Sequence, residues 1–317
     1  MKLIIQIPCF NEQDVLLIAL SDLPKDIKGI DDIEILIIDD GSTDNTAQIA
    51  KEFGVNHIVS IPENKGLANA YIQGIDACLK AGADIIVNTD ADNQYRADDI
   101  EKLVKPIIEN KAEIVIGTRP ISQTEHFSYL KKRLQKIGSW VVRYASETDV
   151  EDAPSGFRAV SRDAAIRLYV FNKYTYTLET IIQAGQSGMR ILSVPIRTND
   201  DLRPSKLAKS MRSYVQRSIG TILKIFMIYR PVKSFFILGM VPFLLGFALG
   251  LRWIILFYLE DAGRSHLPSL ILSAILIIIG FQTLLFGFFA ELISANRKIL
   301  EENRARLRSL ELKDLDQ

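Results

Sequence analysis

The sequence predicts an α/β fold: a mainly parallel sheet with helices on both faces, continued by amphipathic interface helices and a two-helix transmembrane hairpin. Three observations predict it. Short β-branched runs alternate with helical patterns from residue 2 to residue 116. Each of those runs ends in a polar turn. Almost all the long apolar runs lie after Ser234.

The strands come first. Residues 2–7 (KLIIQI) are followed by Pro8, and residues 33–38 (IEILII) by Asp39-Asp40-Gly41. Residues 84–88 (DIIVN) lead into Thr89-Asp90-Ala91-Asp92, and residues 113–116 (EIVI) into Gly117-Thr118-Arg119. Their length and branching suit strands buried on both faces. Helical patterns fill the intervals at residues 12–21, 44–53, 67–81 and 98–109, with Ser42 or Thr43 as the cap of the second. Such alternation calls for parallel strands joined by crossover helices. Ligands then gather beyond the carboxyl ends of the strands, so the polar turns are expected to share one crevice. After Thr118 the pattern weakens. Residues 122–144 read as loop and helix, residues 159–168 and 177–186 as helices, and residues 190–196 as a last strand.

The hairpin follows. Residues 234–259 are broken only by Arg252, which can snorkel outward, and residues 267–290 carry no charge. About 20 apolar residues cross a bilayer, so both segments qualify, the second span ending near residue 293. Lys206, Lys209, Arg212, Arg217, Lys224, Arg230 and Lys233 precede the first span, and Arg297, Lys298, Arg304, Arg306 and Arg308 follow the second. The turn between them holds Arg264 against Glu260 and Asp261. That asymmetry places both termini on the cytoplasmic side of the cell (inner) membrane. Residues 207–232 mix apolar and basic side chains and read as helices lying on an anionic leaflet. Residues 294–317 form a charged helical tail, either solvated or in contact with another copy. The expected division is therefore 1–206, 207–232, 233–293 and 294–317.

Composition removes other classes. Thirty-eight basic residues balance 38 acidic ones, so no global field attracts nucleic acid. Cys9 and Cys78 lack metal or redox spacing and read as core residues of a protein in a reducing compartment. The first residues read as a strand and not as a signal peptide. His57, His126 and His266 have no hydrolase context, and no G-x-S-x-G occurs.

The chemistry lies in the turns. Asp90 and Asp92, two residues apart at a strand end, can both reach one divalent cation; Mg²⁺ and Mn²⁺ take carboxylates together with substrate phosphates. Gln94 offers a further oxygen. The second turn, residues 39–44 (DDGSTD), is a helix start that also brings a carboxylate to the same edge. Residues 8–12 (PCFNE) can seat a base or ribose. In Asn64-Lys65-Gly66, Gly66 permits close backbone approach and Lys65 can meet a phosphate.

PCFNE, DDGSTDNT, NKGLANA, DAD and GTR, in that order, resemble a family 2 glycosyltransferase with the GT-A fold over residues 1–206. Residues 152–158 (DAPSGFR) and Arg203-Pro204-Ser205-Lys206, with the two-span anchor, resemble its polyprenyl-phosphate branch, which includes dolichyl-phosphate mannose synthases. The resemblance implies a metal-and-diphosphate motif at Asp90, Asp92 and Gln94. It implies nucleotide contacts at Pro8, Asn11, Glu12 and Asp40. It implies phosphate-binding groups at Arg119, Arg203 and Lys206 with Ser205 beside them, and Arg133 for the acceptor phosphate. Pro204 stands where the branch usually has Gly, which stiffens that loop. The QxxRW motif of the processive branch is absent, since Gln216-Arg217 has no following Trp.

The implied reaction moves a sugar from a UDP- or GDP-sugar to an undecaprenyl or dolichyl phosphate with inversion, using Mg²⁺ or Mn²⁺, at a lipid bilayer. A phosphate acceptor is already an anion and needs no strong base, so Arg119, Arg133, Arg203 and Lys206 would serve by position and charge. Asp152 reads as a base, a sugar-hydroxyl ligand or a loop cap. Transfer to a lipid hydroxyl would need Asp152 as the base. A sugar-nucleotide sensor without turnover would have no need of both Asp90 and Asp92, and two spans with one charge offer a transporter no path. The tail and membrane helices provide surfaces for a homo-oligomer.

Overall fold

The computed structural model describes residues 1–120, 139–140, 142–144, 146–170, 176–199, 220, 224, 227, 229–259 and 267–315. The chain divides into two units, Met1–Ile219 with Glu301–Gln317, and Gly220–Leu300.

The first unit carries strands β1 (Lys2–Cys9), β2 (Asp32–Asp39), β3 (His57–Ser60), β4 (Ile85–Asn88), β5 (Ile114–Thr118), β6 (Arg158–Ser161) and β7 (Ile191–Pro195). They form one sheet in the order β3-β2-β1-β4-β6-β5-β7. Strand β6 runs antiparallel to β4 and β5, and the other pairings are parallel. The carboxyl ends of β1, β2, β4 and β5 therefore share one edge, and the segment entering β6 arrives at that edge too. Helices α1 (Leu16–Ser21), α2 (Thr46–Phe53), α3 (Leu67–Lys80), α4 (Ile100–Ile108), α5 (Arg162–Arg167) and α6 (Thr177–Gln186) complete the α/β architecture. One core cluster gathers Leu3, Ile5, Ile7, Val87, Leu103, Val115 and Phe157. Cys9 and Cys78 are free and buried, as expected.

The structure corrects several boundaries. Strand β1 continues through Pro8 instead of ending before it, because beyond Gln6 the strand pairs with β2 alone and an edge-like position tolerates proline. Helix α1 starts at Leu16 and not at residue 12, since residues 11–13 spend their N–H groups on the neighbouring loop. Neither Ser42 nor Thr43 caps α2. Asp44 accepts the Thr46 N–H instead, at 3.0 Å. The helix expected at residues 159–168 is strand β6 followed by the short α5: pairing on both sides overrides the local helical pattern.

The charged tail also has a definite place. Arg308, nearly buried, donates to the Ala165 carbonyl at 2.9 Å and pairs with Asp76 on α3. The Arg304 guanidinium lies 3.5 Å from the Tyr169 ring centroid, and Leu312 is buried. These three residues recur every four positions and so form one stripe of a helix. The stripe packs on the first unit, while much of the rest of the helix is exposed. Removing the buried guanidinium leaves Asp76 and a buried carbonyl without it. Arg308→Ala is expected to destabilise the first unit by about 1–3 kcal/mol, read as a lower melting temperature.

The second unit contains α7 (Pro231–Leu259) and most of α8 (Leu267–Leu315). Both are long and apolar enough to cross a membrane, and only 17% of each apolar window is buried. The two helices approach through small residues, with the Ser273 hydroxyl donating to the Gly246 carbonyl at 2.7 Å. Such contacts suit helix pairs that lack a hydrophobic driving force between them. The expected interface segment 207–232 lies largely outside the described residues.

Candidate active site

Three turns are locked together at the carboxyl edge of β1 and β2. Asn11, in a left-handed conformation, donates its N–H to the Ser42 hydroxyl at 3.0 Å, and its side-chain oxygen accepts from the Thr43 N–H at 2.8 Å. Glu12 donates its N–H to the Thr46 hydroxyl at 2.9 Å. Asp40, buried, accepts the N–H groups of Lys65 and Gly66 at 2.9 and 2.8 Å, one on each oxygen. Gly41 sits at φ 72° with the Asn64 nitrogen 2.8 Å from where a Cβ would stand, so this close approach requires glycine. Pro8 is buried, Asn11 and Glu12 are half-buried, and Lys65 is exposed. Asp40 thus ties the 39–44 turn to the 64–66 turn through backbone bonds, and each oxygen keeps a lone pair for a further donor.

The acidic turn follows β4. Asp92 accepts the Gln94 N–H at 3.2 Å. Asp90 lies against Gly156: a Cβ on that glycine would stand 3.0 and 3.1 Å from the two Asp90 oxygens. Burial, and secondarily the Asp92 charge, push the Asp90 carboxyl up to about 7, against a smaller downward pull from Arg119, a hydrogen bond to Tyr95 and Arg158. An acidic pair whose charge is this poorly compensated fits a cation. Among the described residues no group of three His, Cys, Asp or Glu side chains is placed to hold a metal. Two carboxylates are the sparse kind of oxygen set that Mg²⁺ or Mn²⁺ completes with substrate phosphates and water.

Arg119 and Asp152 meet beside this turn. Arg119 Nε and Nη2 donate to the two Asp152 oxygens at 2.7 and 3.0 Å, and the Arg119 backbone N–H reaches Asp152 at 3.3 Å. Asp152 is fully buried. The fork-to-fork pair neutralises that carboxylate and aims the planar guanidinium. The field of Arg119 is felt by both Asp90 and Tyr95, so these groups form one cluster.

The structure therefore brings Asp90, Asp92, Gln94, Arg119 and Asp152 to the sheet edge that carries Pro8, Asn11, Glu12, Asp40 and Lys65. Arg133, Arg203, Ser205 and Lys206 lie outside the described residues. Other residues escaped the sequence reading. Asp99 takes the N–H, Nε and Nη2 of Arg197, and Asn199 donates to the Asn93 carbonyl at 2.9 Å. Together they bind the acidic turn to the strand-end segment after β7. Asn88, Tyr95, Arg158 and Tyr176 lie directly beneath the turn. Asn88 ends a strand run and Arg158 closes the DAPSGFR motif, so both carried a signal; Tyr95 and Tyr176 are drawn in by contacts the sequence does not show.

The profile of the family described as Glycosyl transferase family 2 matches residues 4–175. A UDP-N-acetylglucosamine–dolichyl-phosphate N-acetylglucosaminyltransferase of Methanococcus voltae is 32% identical over 214 residues, 61% of this chain and 83% of that protein. A polyprenol monophosphomannose synthase of Mycolicibacterium smegmatis is 25% identical over 221 residues, 66% and 82% of the two chains. Among solved structures, glucosyl-3-phosphoglycerate synthase from Mycobacterium tuberculosis, in complex with Mn²⁺, UDP and phosphoglyceric acid, superposes with a TM-score of 0.55 at 18% identity. It covers 71% of this chain and 77% of the other, and it establishes the shared fold.

Proposed function

This chain belongs to glycosyltransferase family 2, and from that premise we propose that it moves a sugar from a UDP- or GDP-sugar to a polyprenyl phosphate held in a membrane. The observation that carries the proposal is the acidic pair Asp90–Asp92 standing beside the Arg119–Asp152 pair at one sheet edge. Two relatives named for lipid-phosphate acceptors, one for N-acetylglucosamine and one for mannose, support the acceptor class. The two apolar helices suit an enzyme whose acceptor tail stays in the bilayer. The basic residues flanking them favour a catalytic unit on the cytoplasmic side.

In this reading Asp90, Asp92 and Gln94 hold Mg²⁺ or Mn²⁺, which supplies positive charge against the diphosphate when bound. Pro8, Asn11, Glu12, Asp40 and Lys65 wall the nucleotide. Asp152 engages Nε and Nη2 of Arg119 and leaves other guanidinium N–H groups for phosphate oxygens. Arg133, Arg203, Ser205 and Lys206 complete the phosphate-binding set. The acceptor oxygen attacks the anomeric carbon, the bond to the diphosphate breaks on the opposite side, and the configuration inverts. Because Asp152 is committed to Arg119, the geometry favours the anionic phosphate acceptor over a hydroxyl that would need Asp152 as its base.

The test offers purified full-length protein a panel of UDP- and GDP-sugars with Mg²⁺ or Mn²⁺ and a short polyprenyl phosphate. Mass spectrometry is expected to show one glycosyl lipid, lost on adding EDTA. Absence of any product from the whole panel, with nucleotide still bound, overturns the acceptor assignment.

A pH dependence follows from Asp90. Its protonated form cannot ligate a cation, so metal affinity is lost on the acid side of a carboxyl near 7. Mn²⁺ affinity without nucleotide is expected to fall roughly tenfold between about pH 8 and about pH 6, measured by electron paramagnetic resonance of the free ion.

A further inference from the structure

Arg158 is among the largest fully buried side chains of the first unit. A guanidinium cannot shed its charge, and isolating it from water costs several kcal/mol unless its N–H groups and its charge are answered. Nη1 and Nη2 donate to three oxygens, the Ser155 carbonyl, the Thr177 carbonyl at 3.3 Å and the Thr180 hydroxyl at 2.8 Å, while the buried Nε has no hydrogen-bond partner among the described residues. None is a carboxylate, and among the described residues Arg158 has no ion-pair partner. Its guanidinium also stands 5.2 Å from the centroid of the Tyr176 ring. The negative charge on which its field falls is Asp90.

The same residues grip one peptide segment from every side. Arg158 holds the Ser155 carbonyl. The Gly156 N–H donates to the Tyr95 hydroxyl at 3.3 Å. The Gly156 carbonyl accepts from the Asn88 amide at 2.9 Å, and that amide also donates to the Tyr176 hydroxyl at 2.9 Å. Asn88 is fixed in turn by Gln6 at 3.0 Å, and Tyr176 by a stack on Tyr71 with ring centroids 3.9 Å apart. The segment so held is the wall against the Asp90 carboxylate, close enough that a Cβ on Gly156 would stand 3.0 Å from a carboxylate oxygen. A glycine here with ordinary loop freedom would let that carboxylate turn. This one is clamped at both its N–H and its carbonyl.

Resting on the reading of Asp90 and Asp92 as cation ligands, we propose that Arg158 and Tyr176 are positioning residues for Asp90. They clamp the Ser155–Gly156 segment so that the carboxylate is held in one orientation for a divalent cation. Neither residue touches the reacting atoms.

The test compares full-length wild type with Arg158→Lys, Tyr176→Phe and Asp92→Ala. Each is titrated with Mn²⁺ alone and followed by electron paramagnetic resonance, with a thermal melt alongside. Arg158→Lys keeps the charge but cannot span three acceptors, and Tyr176→Phe keeps the stack but loses the hydroxyl. Groups that orient metal ligands typically change metal affinity about 10–100-fold when replaced. The expected result is a fall of that size for Arg158→Lys and a smaller one, about 3–10-fold, for Tyr176→Phe, the folded Tyr176→Phe protein still melting as one transition. A purely structural role would lower the melting temperature and leave the Mn²⁺ affinity of the folded protein unchanged. Wild-type Mn²⁺ affinity in folded Tyr176→Phe overturns the proposal even if Arg158→Lys does not fold. Wild-type affinity in Asp92→Ala would instead overturn the cation reading on which it rests.

Discussion

Asp92→Ala is expected to lower sugar transfer about 10³-fold while the melting temperature stays within a few degrees of wild type. The loss corresponds to about 4 kcal/mol of transition-state stabilisation, the order supplied by a cation that offsets charge on a departing diphosphate. The stability half of the expectation comes from position. Asp92 is half-buried and accepts a backbone N–H of its own turn, so truncation strands no buried side-chain partner among the described residues. Asp92→Asn is expected to lose nearly as much activity, because an amide oxygen keeps the shape but not the charge. Steady-state transfer rates with saturating metal check both, and transfer by Asp92→Ala within tenfold of wild type would remove the acidic pair from the mechanism.

Asp152→Ala is expected to act in the opposite way, through the fold first. Asp152 is fully buried and takes three donors from Arg119, so its removal leaves a half-buried guanidinium without its carboxylate. Breaking one member of a buried pair costs about 3–5 kcal/mol. For a unit of this size that is a melting-temperature loss on the order of 10 °C. Activity falls with it, because the released Arg119 no longer holds one orientation toward the phosphates. Asp152→Asn separates the roles. It keeps one acceptor oxygen and the shape but loses the charge and turns an N–H toward the guanidinium, so it is expected to cost less stability than Asp152→Ala while Arg119 gains freedom. If Asp152 were a general base, Asp152→Asn would lose all transfer at unchanged stability, and the pH–rate profile would lose its acidic limb.

The two variants together show how much was legible in the residues. The strands at residues 2–7, 33–38, 84–88 and 113–116 were readable because each is a short branched run closed by a polar turn, and a run buried on both faces needs no partner to be recognised. The acidic pair was readable because its two carboxylates are neighbours in the chain. Asp152 could be singled out but not assigned, since its role is set by Arg119, 33 positions away. Strand β6 was misread as helix because residues 162–167 beside it are helical and its own four residues declare themselves only by pairing with β4 and β5. The tail at residues 304–312 was ambiguous for the same reason: a charged amphipathic helix shows a stripe but not what covers it.

By itself, then, the sequence determined the α/β class, the two apolar helices, the family and the acidic turn. All of these are encoded in periodicity, in length or in contiguous motifs, where the interacting groups are held close by the chain itself. Only the tertiary structure decided that β6 is antiparallel, that Asp152 is spent on Arg119, that Arg308 ties the tail to α3, and that Arg158 and Tyr176 brace Asp90 through Gly156. Those arrangements depend on burial and hydrogen bonding between residues far apart in the chain. A buried carboxylate or guanidinium accepts whichever distant partner the sheet delivers, and the delivery is a property of the packed core.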